Sequence, residues 1–481
     1  MLTLLLSINI CPKVEKVKVI VREIRWISMY NKDKRGGFDM NDILVSCKAF
    51  GEFDLVVVGG GCTGVCAAVR AARQGLRVAI VEKSNCFGGV ATNGLVNVWH
   101  TLWDVDGKEQ IIGGVTDELV RTLSRDGFAD TGKKVTSAIR FDPNAMKWAL
   151  DRLVTENGIQ VFFHTFYNTL VMSGDKITGV VVSNKDGVGM IKADFFIDAT
   201  GDGDLCRDAG LPSWRSAAIQ PPSPCCFLKG KLLNDIGDLI RTHGAEFGLD
   251  DDWGWEGYIP GMEDVHFRAD FHIFGRQCDK AEELTAAEIQ GREKIYALQR
   301  LLQKYDNPEL AVVALCSQLG IRETVHYETQ FRANETDLLM GTGYDDTVMR
   351  GTYRVDIHHQ DDNGITFKYL TGETVTYYGK SNQPIRGNWR EKAGITTPHA
   401  HYYQIPFGIL VQEKVANLIP AGRMVNADEG AFGAVRVMVN LNQLGEAAGI
   451  AASVSLDEGV PIRSIKGKKV QDILRAGGSL L

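Results

Sequence analysis

The sequence lacks an excess of basic residues and lacks any long apolar run. Its 481 residues carry 53 Lys and Arg against 60 Asp and Glu, which gives a net charge of −7. Proteins that bind nucleic acid present a basic patch or stripe, and no run of Lys and Arg supplies one here. A membrane-spanning helix needs about 20 apolar residues in a row, and the best candidate, Leu2 to Ile10, is too short. We therefore expect no nucleic acid partner and no membrane span.

A secretory signal and a pattern of paired cysteines are also missing. Leu2 to Ile10 has neither a basic segment before it nor a small-residue cleavage site after it, so we expect a cytoplasmic protein. The 10 cysteines are scattered along the chain, which predicts reduced thiols rather than a disulfide framework. Their spacing suits neither an iron–sulfur cluster nor a zinc site, so we predict no metal.

The clearest pattern that the sequence does contain lies between Phe53 and Glu82. Leu55 to Val58 is a short apolar run, which predicts a strand buried on both faces. Val65 to Gln74 is rich in alanine and favours a helix. Val78 to Val81 is a second apolar run. The order strand, helix, strand predicts a βαβ unit.

The turn between the first strand and the helix has the spacing G-x-G-x-x-G. In this arrangement Gly59 permits the tight turn, Gly61 lets the backbone approach a pyrophosphate, and Gly64 lets the helix pack on the strand. The start of the helix offers free N–H groups and the positive end of its dipole. Glu82 ends the second strand, where an acidic residue accepts hydrogen bonds from ribose hydroxyl groups. Together these residues predict a dinucleotide site.

Three stretches of the chain resemble the FAD-dependent oxidoreductases of the glutathione-reductase-like clan. They are DLVVVGGGCTGVCAAVRAARQGLRVAIVEK from Asp54, IDATGDGDL from Ile197 and NLIPAGRMVNADEGAFGAVRVMVNLNQLGEAAGIAA from Asn417. The likeness covers about residues 53–210 and 403–456, and it looks closest to the family that includes the flavin subunit of heterodisulfide reductase. The resemblance implies an oxidoreductase with FAD as its cofactor.

The resemblance also assigns cofactor residues. It implies that the glycine turn, Glu82 and Lys83 hold the ADP half of FAD. It places a second set nearer the pyrophosphate and the flavin: Gly88, Gly89, Asp198, Thr200, Gly201, Asp202, Gly422, Arg423, Gly445, Ala447, Ala448 and Gly449. The last helix would direct its N-terminus toward the flavin and stabilise negative charge on the reduced ring. The family often has histidines where this chain has Glu429 and Phe432.

Two features of related flavoenzymes are absent. Dithiol enzymes have C-x4-C just after the Gly-Gly pair, whereas Val90 to Leu95 contains no cysteine. A second dinucleotide fingerprint is missing too, because Gly341 and Gly343 are followed by Asp346 at the third glycine position. We therefore expect no redox disulfide and no nicotinamide domain. Electrons would come from or go to an external donor or acceptor, a partner protein among them.

Two arginines are candidates for the chemistry. Arg436 lies among apolar residues at the entry to the last helix, where it would clamp a substrate carboxylate or pair with Glu429 or Glu446. Arg322, with its neighbour Glu323, lies in a family-like segment that packs near the flavin, and the alternative is a structural ion pair.

His401 is the third catalytic candidate. It follows His399 by two residues, just before the strand-like stretch from Gln404 to Val411, and residues at i and i+2 of a strand share one face. Surface or structural histidines are the alternative. Two histidines without a third ligand do not predict a metal site.

Taken together, the sequence predicts an α/β fold with a discontinuous Rossmann-like FAD-binding domain, residues 51–211 and 402–465. An α+β cap or substrate domain, residues 212–401, is inserted in it. Residues 1–50 would be an N-terminal extension and 466–481 a tail. The predicted function is hydride or electron transfer on a small-molecule substrate. The alternatives are an electron-relay subunit of a larger redox complex, and a non-redox protein that uses the dinucleotide fold.

Overall fold

A computed structural model describes residues 17–21, 43–249, 254–269, 271–360, 364–379 and 381–481. Most of the predicted N-terminal extension lies outside the described residues. The first half of the described chain alternates strands and helices: β1 (Val17–Val21), β2 (Ile43–Val58), α1 (Cys62–Arg73), β3 (Val78–Val81), β4 (Val98–Trp99), α2 (Gly114–Arg125), β5 (Ala129–Asp130), β6 (Ile139–Phe141), α3 (Pro143–Glu156), β7 (Gln160–Phe162), β8 (Phe166–Ser173), β9 (Lys176–Asn184), β10 (Gly187–Asp198) and α4 (Asp204–Asp208).

The middle of the chain consists mainly of short antiparallel strands and contains one long helix, α6 (Ala281–Tyr305). Its elements are β11 (Ser213–Trp214), β12 (Cys226–Lys229), α5 (Ile236–His243), β13 (Trp255–Tyr258), β14 (Val265–Ala269), α6 (Ala281–Tyr305), β15 (Ala311–Leu315), β16 (His326–Tyr327), α7 (Glu335–Met340), β17 (Thr347–Gly351), β18 (Val355–His358), β19 (Gly364–Lys368), β20 (Glu373–Tyr378), β21 (Ser381–Asn388) and α8 (Trp389–Lys392).

The chain then returns to the first half of the fold. Its last elements are β22 (Tyr403–Pro406), β23 (Leu418–Pro420), α9 (Glu429–Val435), α10 (Met438–Glu458) and α11 (Gly467–Ala476). No helix in the described residues is long and apolar enough to cross a membrane.

One large sheet organises the two ends of the chain. Its order is β7-β3-β2-β10-β9-β8, with β1 beside β2 and β23 beside β10. Strands β7, β3, β2, β10 and β23 run parallel, whereas β8, β9 and β1 join antiparallel. The predicted βαβ unit is confirmed, since β2 and β3 pair in parallel on either side of α1. The predicted α/β fold, with a Rossmann-like arrangement, is confirmed as well.

Two of the predicted domain boundaries, at residues 50 and 401, separate parts of the chain that pair in the structure. Strand β2 begins at Ile43, and Lys48 and Ala49 already pair with β10, so part of the predicted extension belongs to the sheet. Strand β22 pairs with β17, which joins the chain after residue 401 to the segment before it.

Helix α10 is buried on nearly all sides. A helix with this burial belongs in the core of a large domain. It crosses α1 at two glycines: a Cβ on Gly445 would lie 2.2 Å from the Thr63 carbonyl oxygen, and one on Gly449 would lie 2.2 Å from that of Ala67. These two glycines therefore let the helix backbones touch.

Candidate functional site

The glycine turn between β2 and α1 has the geometry that a dinucleotide requires. Gly59 has φ +108°, and a Cβ there would lie 2.2 Å from the Ala199 carbonyl oxygen. A Cβ on Gly64 would lie 1.9 Å from the Gly59 oxygen. A Cβ on Gly61, by contrast, would meet nothing within 4 Å. Two glycines are thus needed for packing, and the third opens onto free space.

Glu82 braces this turn from the end of β3. One carboxylate oxygen accepts the Gly60 N–H at 2.7 Å, and the other accepts the Ser84 N–H at 2.8 Å. The side chain is buried and the following Lys83 is exposed. Glu82 therefore fixes the position of the turn relative to the strand, a role that the sequence prediction of a ribose contact did not include.

The Gly88-Gly89 pair lies directly against the turn. Gly88 donates its N–H to the Gly60 carbonyl at 2.9 Å, and Gly61 and Gly88 form an isolated parallel bridge. A Cβ on Gly89 would lie 3.3 Å from the Gly61 Cα. The structure thus brings the first two predicted cofactor segments into contact.

The two later segments follow strand ends at the same edge of the sheet. Backbone hydrogen bonds continue past the strands, from Ala199 to Val58 and from Ala421 to Asp198, each at 2.8 Å. Ligands of such sheets bind outside the carboxyl ends of the parallel strands. Gly59, Glu82, Asp198 and Gly422 therefore mark one edge of one sheet.

Within this edge, Asp198 and Arg423 have structural partners. Asp198 is fully buried and accepts hydrogen bonds from Thr200 and from the Cys206 N–H. Arg423 pairs with Asp202 at 2.5 Å, and a Cβ on Gly201 would lie 2.0 Å from the Arg423 guanidinium. These contacts hold the loops after β10 and β23 together beside the glycine turn.

The predicted residues of the last helix occupy a different environment. Gly445 packs on Thr63, and both Ala447 and Ala448 are completely buried. The second turn of α10 contains a better candidate for contact with a ligand: both amide atoms of the buried Asn442 have no hydrogen-bond partner. Orphaned buried polar atoms are costly and call for a partner.

FAD fits this part of the structure. The open face of Gly61 leaves room for a pyrophosphate, and no side chain caps the start of α1. The N–H groups of that first turn can therefore face an anion. The glycine turn, Glu82 and the Gly88-Gly89 pair would hold the ADP half and the pyrophosphate.

A buried polar cluster lies where β18 meets α9. A Cβ on Gly433 of α9 would lie 2.6 Å from the Asp356 carbonyl oxygen, so helix and strand are in direct contact. This contact brings Arg436, at the end of α9, to 3.2 Å from the Asp356 carboxylate. The predicted pairing of Arg436 with Glu429 or Glu446 is not observed. We define the cluster by its polar side chains: His272, Tyr353, Arg354, Asp356, His358 and Arg436.

Asp356 is the centre of this cluster. Its carboxylate accepts a hydrogen bond from the Tyr353 hydroxyl at 2.7 Å and lies 3.2 Å from His358 Nε2. Burial pushes the pKa of Asp356 upward, but His358, Arg436 and Arg354 outweigh it and hold that pKa below its ordinary value. Asp356 is therefore an anion surrounded by cationic and donor groups.

Two histidines extend the cluster into the middle segment. His272 Nε2 lies 2.7 Å from His358 Nδ1, and both rings are buried. Burial, His358 and Arg322 lower the pKa of His272 well below its ordinary value. Close polar contacts thus link these four residues: hydrogen bonds join Tyr353 to Asp356 and His272 to His358, and an ion-pair contact joins Asp356 to His358.

The other two catalytic candidates have different surroundings. Arg322 donates to the Pro221 carbonyl and the Ser223 hydroxyl, each at 2.7 Å, and Glu323 instead contacts His326 at 3.0 Å. His401 is more than half exposed and contacts Asp106 at 2.9 Å.

Sequence reasoning missed most of the cluster. The signal was present in Val355 to His358, where apolar and polar residues alternate. In a strand this alternation places Asp356 and His358 on one face. His272 carried no such signal, because it meets His358 only through the fold.

The cysteines of the described residues lie in the interior. All nine of them are buried. Burial raises the pKa of Cys62 to about 12, so this thiol beside the glycine turn stays protonated at neutral pH.

Curated relatives match only parts of the chain. The soluble pyridine nucleotide transhydrogenase of Chromohalobacter salexigens is 30% identical over 156 residues, 31% of this chain and 30% of the relative. The 3-oxosteroid 1-dehydrogenase of Mycobacterium tuberculosis is 31% identical over 108 residues, 20% of this chain and 19% of the relative. The chain therefore spans about a third or less of these relatives' own length.

Solved structures and family models extend the comparison. A geranylgeranyl bacteriochlorophyll reductase-like protein of Thermoplasma acidophilum has 12% identity and a TM-score of 0.46, with 89% of this chain and 84% of that chain covered. A family described as FAD dependent oxidoreductase matches residues 54–474, which include the glycine turn and the buried polar cluster. The chain belongs to this family of FAD-dependent oxidoreductases.

Proposed function

We propose that the chain binds FAD along the sheet edge and acts on a small-molecule substrate at the buried polar cluster. The observation that carries the cofactor half is the open face of Gly61 between two glycines that packing requires. The observation that carries the substrate half is the ion pair of Arg436 with Asp356 beside the start of α10. FAD supplies the hydride or electron chemistry, and the protein positions the reactants.

The residues of this chain would then divide the work. Gly61 and the first turn of α1 receive the pyrophosphate, and Glu82 holds the turn in place. The N-terminal half of α10 would offer its dipole and the unpartnered amide of Asn442 to the flavin when FAD is bound. Arg436 stabilises negative charge that develops on the substrate during transfer.

The histidines of the cluster are hydrogen-bonding groups beside the anion. His272 contacts His358 at 2.7 Å, and His358 lies 3.2 Å from the Asp356 carboxylate. The lowered pKa keeps His272 neutral at physiological pH, so its ring offers one donor and one acceptor nitrogen.

Two further proposals concern the electron donor or acceptor and the location in the cell. We propose that electrons enter or leave through an external donor or acceptor, since the sequence has one dinucleotide fingerprint and no C-x4-C pair after Gly89. We propose a cytoplasmic location, because the cysteines are scattered along the chain in a way that suits reduced thiols. A partner protein, like that implied by the resemblance to the flavin subunit of heterodisulfide reductase, is one source of such electrons.

The experiment is to purify the protein, record its absorption near about 450 nm and identify the nucleotide released on denaturation as FAD. Anaerobic holoenzyme is then mixed with a panel of donors and acceptors, and flavin reduction is followed. Rapid reduction or reoxidation by a small molecule supports the proposal. Reaction only with a partner protein would instead favour an electron relay, and a protein that retains NAD but no flavin would contradict the proposal.

A further inference from the structure

Arg354 differs from Arg436, the other arginine of the cluster, because no carboxylate or carbonyl of the described residues accepts a hydrogen bond from it. Its guanidinium carbon lies 4.0 Å from the centre of the Phe367 ring, 5.0 Å from that of Tyr353 and 5.9 Å from that of Tyr369. Its Nε atom is buried without a hydrogen-bond partner. Across the described ranges, Arg354 makes these ring contacts but no hydrogen bond or ion pair.

Asp356, the carboxylate whose pKa Arg354 lowers, already has other partners. Asp356 accepts from the Tyr353 hydroxyl and contacts both His358 and Arg436. Arg354 acts on the pKa of Asp356 without bonding to it. Arg354 is half-buried, and leaving its buried Nε without an acceptor is costly, a cost that an anion bound to the guanidinium would offset. The anion that would complete this site is not a side chain of the described residues.

We propose that Arg354 is the binding residue for a carboxylate carried by the substrate, with Arg436 beside it. This inference rests on the proposed function and names the substrate class. The aromatic rings cover the guanidinium plane, so its N–H groups remain available along the edge. A planar carboxylate matches that edge with two parallel hydrogen bonds.

The second arginine supports the same ligand. Arg436 uses one terminal nitrogen for Asp356, and its buried Nε has no partner. Two guanidinium groups with unused N–H groups therefore share one region with a single described carboxylate. The covering rings of Phe367 and Tyr369 further favour a substrate with an apolar or aromatic body next to its carboxylate.

The test measures binding without turnover. Holoenzyme is titrated by calorimetry with acetate, benzoate and succinate, with acetamide and benzamide as neutral counterparts, and with inorganic phosphate. At least one carboxylate should bind and raise the Tm, while its amide should bind at least about tenfold more weakly, the usual worth of one charged hydrogen bond. Failure of all three carboxylates to bind overturns the proposal, and so does equal binding of acid and amide.

Three variants make the test specific. Arg354→Met should remove carboxylate binding and the Tm response, whereas Arg354→Lys keeps the charge, loses the planar fork and should bind with intermediate affinity. Arg386→Met is the matched control, because Arg386 belongs to the same sheet and forms an exposed ion pair with Glu373. If Arg354→Met binds carboxylate like the wild type, the assignment is wrong.

Flavin content separates the two proposals. Arg354→Met should retain FAD and its reduction by dithionite, so a loss of carboxylate binding with flavin intact concerns the substrate site alone. If the wild type binds no flavin, the proposed function fails, and calorimetry on the same protein still decides the carboxylate site. Phosphate that binds through Arg354 more tightly than every carboxylate would replace the proposed ligand class.

Discussion

Two regions of this protein each bury a carboxylate, and the two pKa values move in opposite directions. Glu446, on α10, lies between α1 and α2, 3.6 Å from Arg70. Burial raises the pKa of Glu446 to about 7, although Arg70 opposes the shift. Asp356 is buried as deeply, but His358, Arg436 and Arg354 hold its pKa below the ordinary value. We call α1, α2 and α10 the helix layer. Burial determines the pKa shift of the carboxylate in the helix layer, and neighbouring charges determine that of the carboxylate in the cluster.

The difference indicates what each region is built for. The helix layer requires close backbone contact, which the glycines of α10 supply, and it tolerates one ionisable pair. The cluster concentrates cations and donors around one anion, Asp356. Perturbed groups of this kind gather at functional sites. Ligand binding should therefore be sensitive to changes at the cluster and the glycine turn, and folding to changes in the helix layer.

The largest effect that would sharpen this comparison is expected at the glycine turn. Gly61→Val should fold but lose FAD, because Gly61 has φ −62° and a Cβ there meets no atom of the protein, only the space for the pyrophosphate. Gly445→Val should fail to fold, because its side chain would collide with Thr63. Flavin content and circular dichroism of the two variants give the measurement.

The milder variant Gly61→Ala controls for the change in backbone freedom. It should fold like the wild type and bind FAD more weakly. Full flavin content in Gly61→Val would show that the pyrophosphate does not lie at this turn.

The next effect concerns Arg436. Arg436→Met should slow substrate-dependent flavin reduction or reoxidation by about 10²–10³, or about 2.7–4 kcal/mol, the usual cost of losing a preorganised donor. The flavin spectrum should be unchanged, since Arg436 pairs with Asp356 rather than with the glycine turn. Stopped-flow spectroscopy measures the rate.

Loss of the buried partner of Asp356 can also destabilise the fold. Arg436→Lys therefore serves as the second variant, because it keeps a charge near Asp356 and removes the second donor. It should fold normally and lose part of the rate. Normal rates in both folded variants would assign Arg436 a structural role.

These two sites also differ in how far the sequence predicted them. The glycine turn is local: Gly59 to Glu82 is one continuous stretch, and strand, turn and helix each have their own residue pattern. The cluster is assembled from residues far apart in the chain, such as His272, His358 and Arg436. Arg436 was predicted from its apolar surroundings at the entry to the last helix, but no local pattern pairs it with Asp356.

The last helix shows the same limit from the other side. The resemblance assigned Gly445, Ala447 and Ala448 to the cofactor, whereas the structure gives them close packing in the helix layer. Small residues suit both a ligand contact and a helix crossing, and the sequence alone does not distinguish the two. The contact of Gly445 with Thr63 does.

A pH dependence should appear in the helix layer. Glu446 has a folded pKa of about 7 against an ordinary value of 4.5, so its contribution to stability is fully present below pH 4.5. That contribution is lost as the pH rises to 7, because the unfolded chain releases the proton first. Wild-type stability should therefore fall across this window relative to Glu446→Gln, on the order of 2–3 kcal/mol.

Urea unfolding at pH 4.5, 6 and 8 measures this difference. The comparison is of slopes with pH, because Arg70 keeps its bonds to the Gly477 and Leu474 carbonyls in both proteins. Parallel slopes would show that the pair with Arg70 keeps Glu446 ionised, and the contrast with Asp356 would then disappear.

The smallest effect is expected at the N-terminus. Deleting residues 1–40 removes β1, which pairs with Ile43 to Cys47 of β2. Those positions precede Lys48, where pairing with β10 begins, and Leu55, where pairing with β3 begins. The glycine turn keeps all its strand partners, so flavin content should equal that of the full chain. Deleting residues 1–50 is the matched comparison: it also removes the pairing of Lys48 and Ala49 with β10, so the Tm should fall further. Aggregation of the shorter deletion alone would show that β1 protects an edge of the sheet, and loss of flavin in it would show that the nucleotide site depends on the extension.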